Sequence, residues 1–152
     1  MRTMTNRQLE ADVRRRLERD PRIPAPVEIA VLGDGGIVRL RGTVGSFGQR
    51  RAAVEDATST RGVYEVMDDL NVRLENHDRR LDHELRGAVL RTLIWDAEVP
   101  SDAIDVKVAD GWVTLKGDVD SQLQSDAAFN DVASMRGVVG LTNQIRVVGS
   151  GR

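Results

Sequence analysis

The chain is written twice. A shift of about 75 residues lays its second half on its first. Gly36 falls on Gly111, Val38 on Val113, Leu40 on Leu115, Gly42 on Gly117 and Val44 on Val119. The match continues through Ser46 and Ser121, Gln49 and Gln124, Ala53 and Ala128, Asp56 and Asp131, and Val72 and Val147. It includes the triplets Arg61-Gly62-Val63 and Arg136-Gly137-Val138. The period exceeds the roughly 20–50 residues of solenoid repeats. It predicts two tandem domains, 6–74 and 78–148, in a chain of 152 residues. Units this small lie near the lower limit for independent folding. With aromatics at only 3%, their cores must be aliphatic.

Each copy reads as α-β-β-α-β. Leu9, Val13 and Leu17 form a one-sided apolar stripe at helical spacing, behind the capping box Thr5-x-x-Gln8 and ahead of Pro21. Leu81, Leu85 and Val89 suggest the same stripe in the second copy, with Asn76 or Asp78 as cap. Ile29 and Val31, then Val106 and Val108, alternate as strands. The turns GDGG and Asp110-Gly111 then predict hairpins, whose return arms carry Val38, Leu40 and Val44, or Val113, Leu115 and Val119, inward. Gly42 and Gly117 replace an inward residue and imply close approach of a helix or a local bulge.

Ser46-x-x-Gln49 and Ser121-x-x-Gln124 predict capping boxes on the second helices. Arg61 and Arg136 would end these helices, with Gly62 and Gly137 as left-handed residues just beyond. A last strand carries Val66, Leu70, Val72 and Leu74, or Leu141, Ile145 and Val147. The expected class is α+β: two tandem domains, each a three-stranded sheet with two helices on one face.

This pattern resembles the BON domain. The family's marks are a hairpin whose second strand reads roughly G-x-V-x-L-x-G-x-V, then a helix and Gly-Val before a final strand. Here they are GIVRLRGTV with Gly62-Val63, and GWVTLKGDV with Gly137-Val138. The resemblance implies a bacterial, non-enzymatic module that attaches proteins to phospholipid membranes. It also implies an alternative, a stress-related scaffold or chaperone-like protein that binds other proteins, as under osmotic stress. Relatives of this kind are mostly exported, which would place the chain in the periplasm if a leader has been removed. The N-terminus as written has no apolar segment of a signal peptide and reads as cytoplasmic.

The residues offer little chemistry. Cysteine is absent, which excludes a disulfide framework and a thiolate metal site. His77 and His83 flank the junction between copies without sharing a helix face, so neither a metal nor a cofactor is expected. GDGGIV is a hairpin turn, not a phosphate loop. Glu10, Asp12, Glu18 and Asp20 interleave with the basic run Arg14-Arg15-Arg16, which reads as a solvated helix face or a binding edge. A net charge of -2 argues against a nucleic-acid partner held by bulk charge. Oligomeric state is not encoded in any pattern here.

Two helices cover only one face of a three-stranded sheet. Outward positions on the second strand are Ile37, Arg39, Arg41 and Thr43 in copy one, and Trp112, Thr114, Lys116 and Asp118 in copy two. Arg73, Lys107 and Arg146 should face the same way. The candidate binding residues are therefore Arg39, Arg41, Arg73, Lys107, Trp112, Lys116 and Arg146. An indole beside cations suits an anionic interface, where each basic group contributes about 1 kcal/mol. The alternative is that Ile37 and Trp112 seal the hairpin against the neighbouring domain.

Overall fold

A computed structural model describes residues 5–149, the side chains of Val27 and His77 apart. Thirteen short elements build two compact units, one ending at Arg73 and the other starting at Leu74. Domain 1 runs α1 (Asn6–Arg19), β1 (Ile29–Asp34), β2 (Ile37–Val44), α2 (Phe47–Thr58) and β3 (Glu65–Val72). Domain 2 repeats the order with α3 (Asp82–Trp95), β4 (Ile104–Ala109), β5 (Trp112–Val119), α4 (Gln122–Ala133) and β6 (Gly140–Val147). Both are the α+β units expected from the repeat.

In each sheet the second strand is central, antiparallel to the first and parallel to the third. The hairpins turn on Gly35-Gly36 and Asp110-Gly111, all at positive φ, as a two-residue turn of this kind requires. The parallel partner needs a crossover, and α2 or α4 supplies it. Val38, Leu40 and Val44 are buried beneath the helices, as are Val113, Leu115 and Val119. Ala52, Ala53 and Ala57 let α2 lie close, while α4 uses Ala128, Val132 and Ala133.

Five expectations change. The stripe of α3 is Leu85, Val89 and Leu93, each no more than 1% exposed, whereas Leu81 lies in solvent ahead of the helix. Leu9 therefore corresponds to Leu85, while Val31 still corresponds to Val106: the connection from α3 to β4 is one residue shorter than that from α1 to β1. Neither Asn76 nor Asp78 caps α3; they form a separate 3-10 turn, and Glu84 instead accepts from the backbone N–H of Leu81 at 3.2 Å.

The boxes on α2 and α4 are also shifted. Ser46 and Ser121 do accept from Gln49 and Gln124, but those glutamines reach past the cap to the N–H groups of Gly45 and Asp120, both at 2.8 Å. The helices end at Thr58 and Ala133, before Arg61 and Arg136. Gly62 and Gly137 therefore do not terminate them. They have φ of 97° and 95° in the connection to the last strand, and Val63 N–H closes one turn on Thr60 at 3.1 Å.

Gly42 and Gly117 meet neither an α-helix nor a bulge. A Cβ at Gly42 would overlap the carbonyl oxygen of Glu28, and one at Gly117 that of Ala103. Those carbonyls end the short 3-10 turns Pro26–Glu28 and Ser101–Ala103, which feed β1 and β4. The incoming chain crosses the central strand so closely that only glycine, at φ of 134° and 154°, leaves room.

Candidate functional site

The strand registers decide which side chains share the uncovered face. In domain 2, Trp112 pairs with Ala109 and Gly140, Thr114 with Lys107 and Thr142, and Lys116 with Asp105 and Gln144. Asp118 pairs with Arg146 at the far end. Side chains along a strand alternate faces, so all of these lie opposite the helices. Trp112, Lys107, Lys116 and Arg146 thus share this face.

Trp112 marks the hairpin end of this face. Its Nε1–H donates to Thr142 Oγ1 at 2.7 Å, and its ring lies over the neighbouring strand where a Cβ at Gly140 would collide with it. Gly140 is thus the floor for the indole. The ring is fixed, yet 43% exposed. Below it, Asp105, Lys107, Thr114, Lys116, Asp118 and Gln144 line a shallow concavity of about 350 Å³. Arg146 is tied by two bonds to Asp118, at 2.9 and 3.1 Å, so its charge is already matched. Lys107 and Lys116 make no ion pair among the described residues and are the cations available to a ligand.

Domain 1 builds the same face differently. Leu32, Arg39 and Met67 form one row across the sheet; Ala30, Arg41 and Asp69 form the next. Arg39 bonds Asp69 at 3.0 Å, diagonally between these rows, and touches the sulfur of Met67 at 3.5 Å. Arg73 follows β3, its N–H bonded to the carbonyl of Val44. Leu32, Ile37 and Met67 leave apolar surface between the charges. The sequence reading placed Asp118 outward without matching it to Arg146, and it did not name Asp69. Both aspartates lie on different strands from their arginines, and only the register reveals the pairs.

Two further features escaped the sequence reading. Ile94 and Trp95 end α3 in solvent, Trp95 at 86% exposed. With α3 in its true register they stand where domain 1 has Glu18 and Arg19, a contrast that the shifted alignment hid. In addition, an aspartate following each first helix faces an aspartate of the second: Asp20 meets Asp56, and Asp96 meets Asp131. Among the described residues no group of three His, Asp or Glu side chains is placed to hold a metal, and no helix is long and apolar enough to cross a membrane.

Comparison with known proteins agrees with this duplicated plan. The pattern of the BON domain matches residues 5–73 and again 81–149. Over 123 residues, 78% of this chain, the sequence is 34% identical to osmotically-inducible protein Y of Escherichia coli (strain K12). The chain spans 61% of that relative's length. Among solved structures it is similar to CdsD, a structural protein of the type III secretion system of Chlamydia trachomatis. The TM-score is 0.41 at 11% identity, covering 97% of this chain and 66% of that one. The C-terminal domain of CdsD gives a TM-score of 0.40 at 9% identity, covering 95% of this chain and all of that one (100%).

Proposed function

Because the chain belongs to the BON domain family through both of its domains, we propose that it is a non-enzymatic binding protein, attached peripherally to anionic phospholipid through the open sheet face of domain 2. One observation carries this reading: a rigidly held, half-exposed indole heads a polar concavity containing two lysines without ion-pair partners. Tryptophan favours the headgroup level, and the two ammonium groups meet phosphate there. The concavity suits a headgroup better than an acyl chain, since its walls are polar.

Co-sedimentation with phosphatidylglycerol-containing vesicles, against phosphatidylcholine alone, tests it across a salt series. Binding should appear with the anionic vesicles only and weaken as salt rises. Reversing both Lys107→Glu and Lys116→Glu should weaken it by about tenfold or more, given about 1 kcal/mol for each lost cation. The melting temperature should hardly change, because solvated strand charges contribute little to folding. Equal binding to neutral vesicles, or indifference to the double reversal, rules the reading out.

A second reading has its own support. The open face of domain 1 exposes Leu32, Ile37 and Met67 around a self-matched Arg39–Asp69 pair, which suits a protein surface better than a lipid one. With the name of the osmotically inducible relative, it favours a stress-related scaffold or chaperone-like role for that domain. Such binding would tolerate salt and follow Leu32→Ser or Met67→Ser in domain 1.

A further inference from the structure

A three-stranded sheet has two open edges, and an unpaired edge is a template on which another chain can add a strand. In both domains, side chains meet backbone groups along these edges. Arg73 and Val148, one residue past β3 and β6, donate their N–H groups to the carbonyls of Val44 and Val119 at 2.8 and 2.9 Å, so they turn to the central strand. Successive residues of a strand alternate direction, so Leu70 and Ile145, three positions earlier, turn their N–H groups outward. Asp68 Oδ1 accepts from Leu70 N–H, and Asn143 Oδ1 from Ile145 N–H, both at 3.0 Å. On the opposite edge, Gly33 N–H of β1 donates to Glu10 Oε2 at 2.8 Å, and Val106 C=O of β4 accepts from Arg86 Nε at 2.8 Å.

The two plugs on the last strands are one device in different chemistry. Asp68 is held by the Arg50 guanidinium of α2 at 2.8 Å, and Asn143 by the Ser125 hydroxyl of α4 at 3.3 Å. The positions correspond across the repeat: Arg50 with Ser125, Asp68 with Asn143, Leu70 with Ile145. Both members have changed together, from an ion pair to a neutral pair, and the bond to the edge N–H is kept in each. What each edge would meet in a second copy differs. In the two registers that face the outward groups with greatest overlap, antiparallel pairing of β3 with itself sets Asp68 or Asp69 opposite its own copy, and like charges there repel. The same pairing of β6 sets the neutral Asn143 or Gln144 opposite its copy, with Arg146 opposite Gly140 or Thr142. Charge at the centre therefore defends β3, whereas the centre of β6 has only its plug.

We infer that Asn143 is an edge plug: by occupying the Ile145 N–H it stops β6 of a second copy from adding to the sheet of domain 2 as a fourth strand. In that pairing the Ile145 N–H would donate to a backbone carbonyl of the second copy, and the Asn143 amide oxygen pre-empts this bond. The bond from Asn143 Nδ2 to the buried Ser125 fixes the amide with its oxygen towards the edge. Asp68 does the same for β3, with its charge in support. The sheet of domain 2 thus offers a partner its open face and not its edge. This inference does not depend on the lipid reading.

Hydrogen exchange and sedimentation velocity of the full chain over a dilution series test it. In the wild-type chain the protection of β6 should not change with concentration. Asn143→Val opens the N–H beside a strand-favouring residue and should form a dimer. Protection of β6 should then rise about tenfold once the concentration exceeds the dissociation constant about tenfold. Asn143→Asp keeps an acceptor at the same place and should behave as the wild type. Adding Gln144→Asp to Asn143→Val copies Asp69 of domain 1 and should reverse the association through like-charge repulsion. If Asn143→Val folds poorly, Asn143→Ala opens the same N–H and decides. Concentration-dependent protection of β6 in the wild type, no association of the open variant, or association that protects other segments or survives Gln144→Asp would overturn the plug.

Discussion

Where domain 1 joins α2 to β3 with an ion pair, Arg50 to Asp68 at 2.8 Å, domain 2 uses a neutral contact, the amide of Asn143 to the hydroxyl of Ser125 at 3.3 Å. Asp68 through its other carboxylate oxygen and Asn143 through its amide oxygen each accept from the N–H two residues on, both at 3.0 Å. Arg16 and Arg22 give way to Thr92 and Glu98, and Glu18-Arg19 to Ile94-Trp95. The backbone plan survives all of these exchanges. What it requires is hydrogen-bond geometry, an aliphatic core and one glycine on each central strand. The sign of a surface charge is free to vary, because exposed pairs contribute little to folding. The domains are thus alike in what folds them and different in what they present to a partner.

The largest test of the shared part is Gly42→Ala beside Gly117→Ala. Each new Cβ overlaps a backbone carbonyl that cannot turn away. Each should cost its own domain about 3 kcal/mol or more, as backbone strain and overpacking add. Urea unfolding followed by amide resonances of each domain would read this separately. A large loss in one copy alone would break their equivalence.

Leu17→Ala and Leu93→Ala come next. Both leucines are 1% exposed at the end of the first helix, so each should cost ~2–5 kcal/mol, and by similar amounts. Leu81→Ala should cost little, because Leu81 precedes its helix in solvent. A large cost there would return the stripe of α3 to the register read from sequence.

The smallest effect concerns pH and tests whether the two domains answer it alike. Asp56 and Asp131 keep a proton in the folded chain to about pH 7, whereas an unfolded aspartate releases it near ~3.9. Stability from the raised group is fully present below about pH 4 and is lost as pH rises through about 7. Asp20 and Asp96 act in the opposite sense, their contribution being lost as pH falls below about 4. Thermal unfolding should therefore be most favourable to the fold in mild acid. Towards pH 8 the transitions of both domains should fall by similar amounts, since Asp56 and Asp131 are both raised to about 7. A fall in one domain alone would break their equivalence.

Much of this was legible in the sequence through particular residues. Val38, Leu40 and Val44, matched by Val113, Leu115 and Val119, declared an inward strand face before any coordinate. The Asp-Gly turn and the serines before α2 and α4 declared where elements begin. The register of α3 was misread because Leu81, Leu85 and Val89 also satisfy helical spacing, and periodicity alone does not say where a helix enters the core. Gly62 and Gly137 were rightly read as positive-φ residues, but in the wrong turn, since a helix end and a following β-turn use the same residue type.

The repeat, the alternation of apolar side chains and the turn chemistry belong to the sequence by itself, because each depends on neighbours only a few residues away. Only the tertiary structure decided that Asp118 would match Arg146, that Gly140 would lie beneath Trp112, and that Asp131 would face Asp96 with Glu98 in place of a cation. Those pairings depend on strand register and on where two helices converge above a sheet. That geometry arises when distant segments pack, and no local pattern along the chain records it.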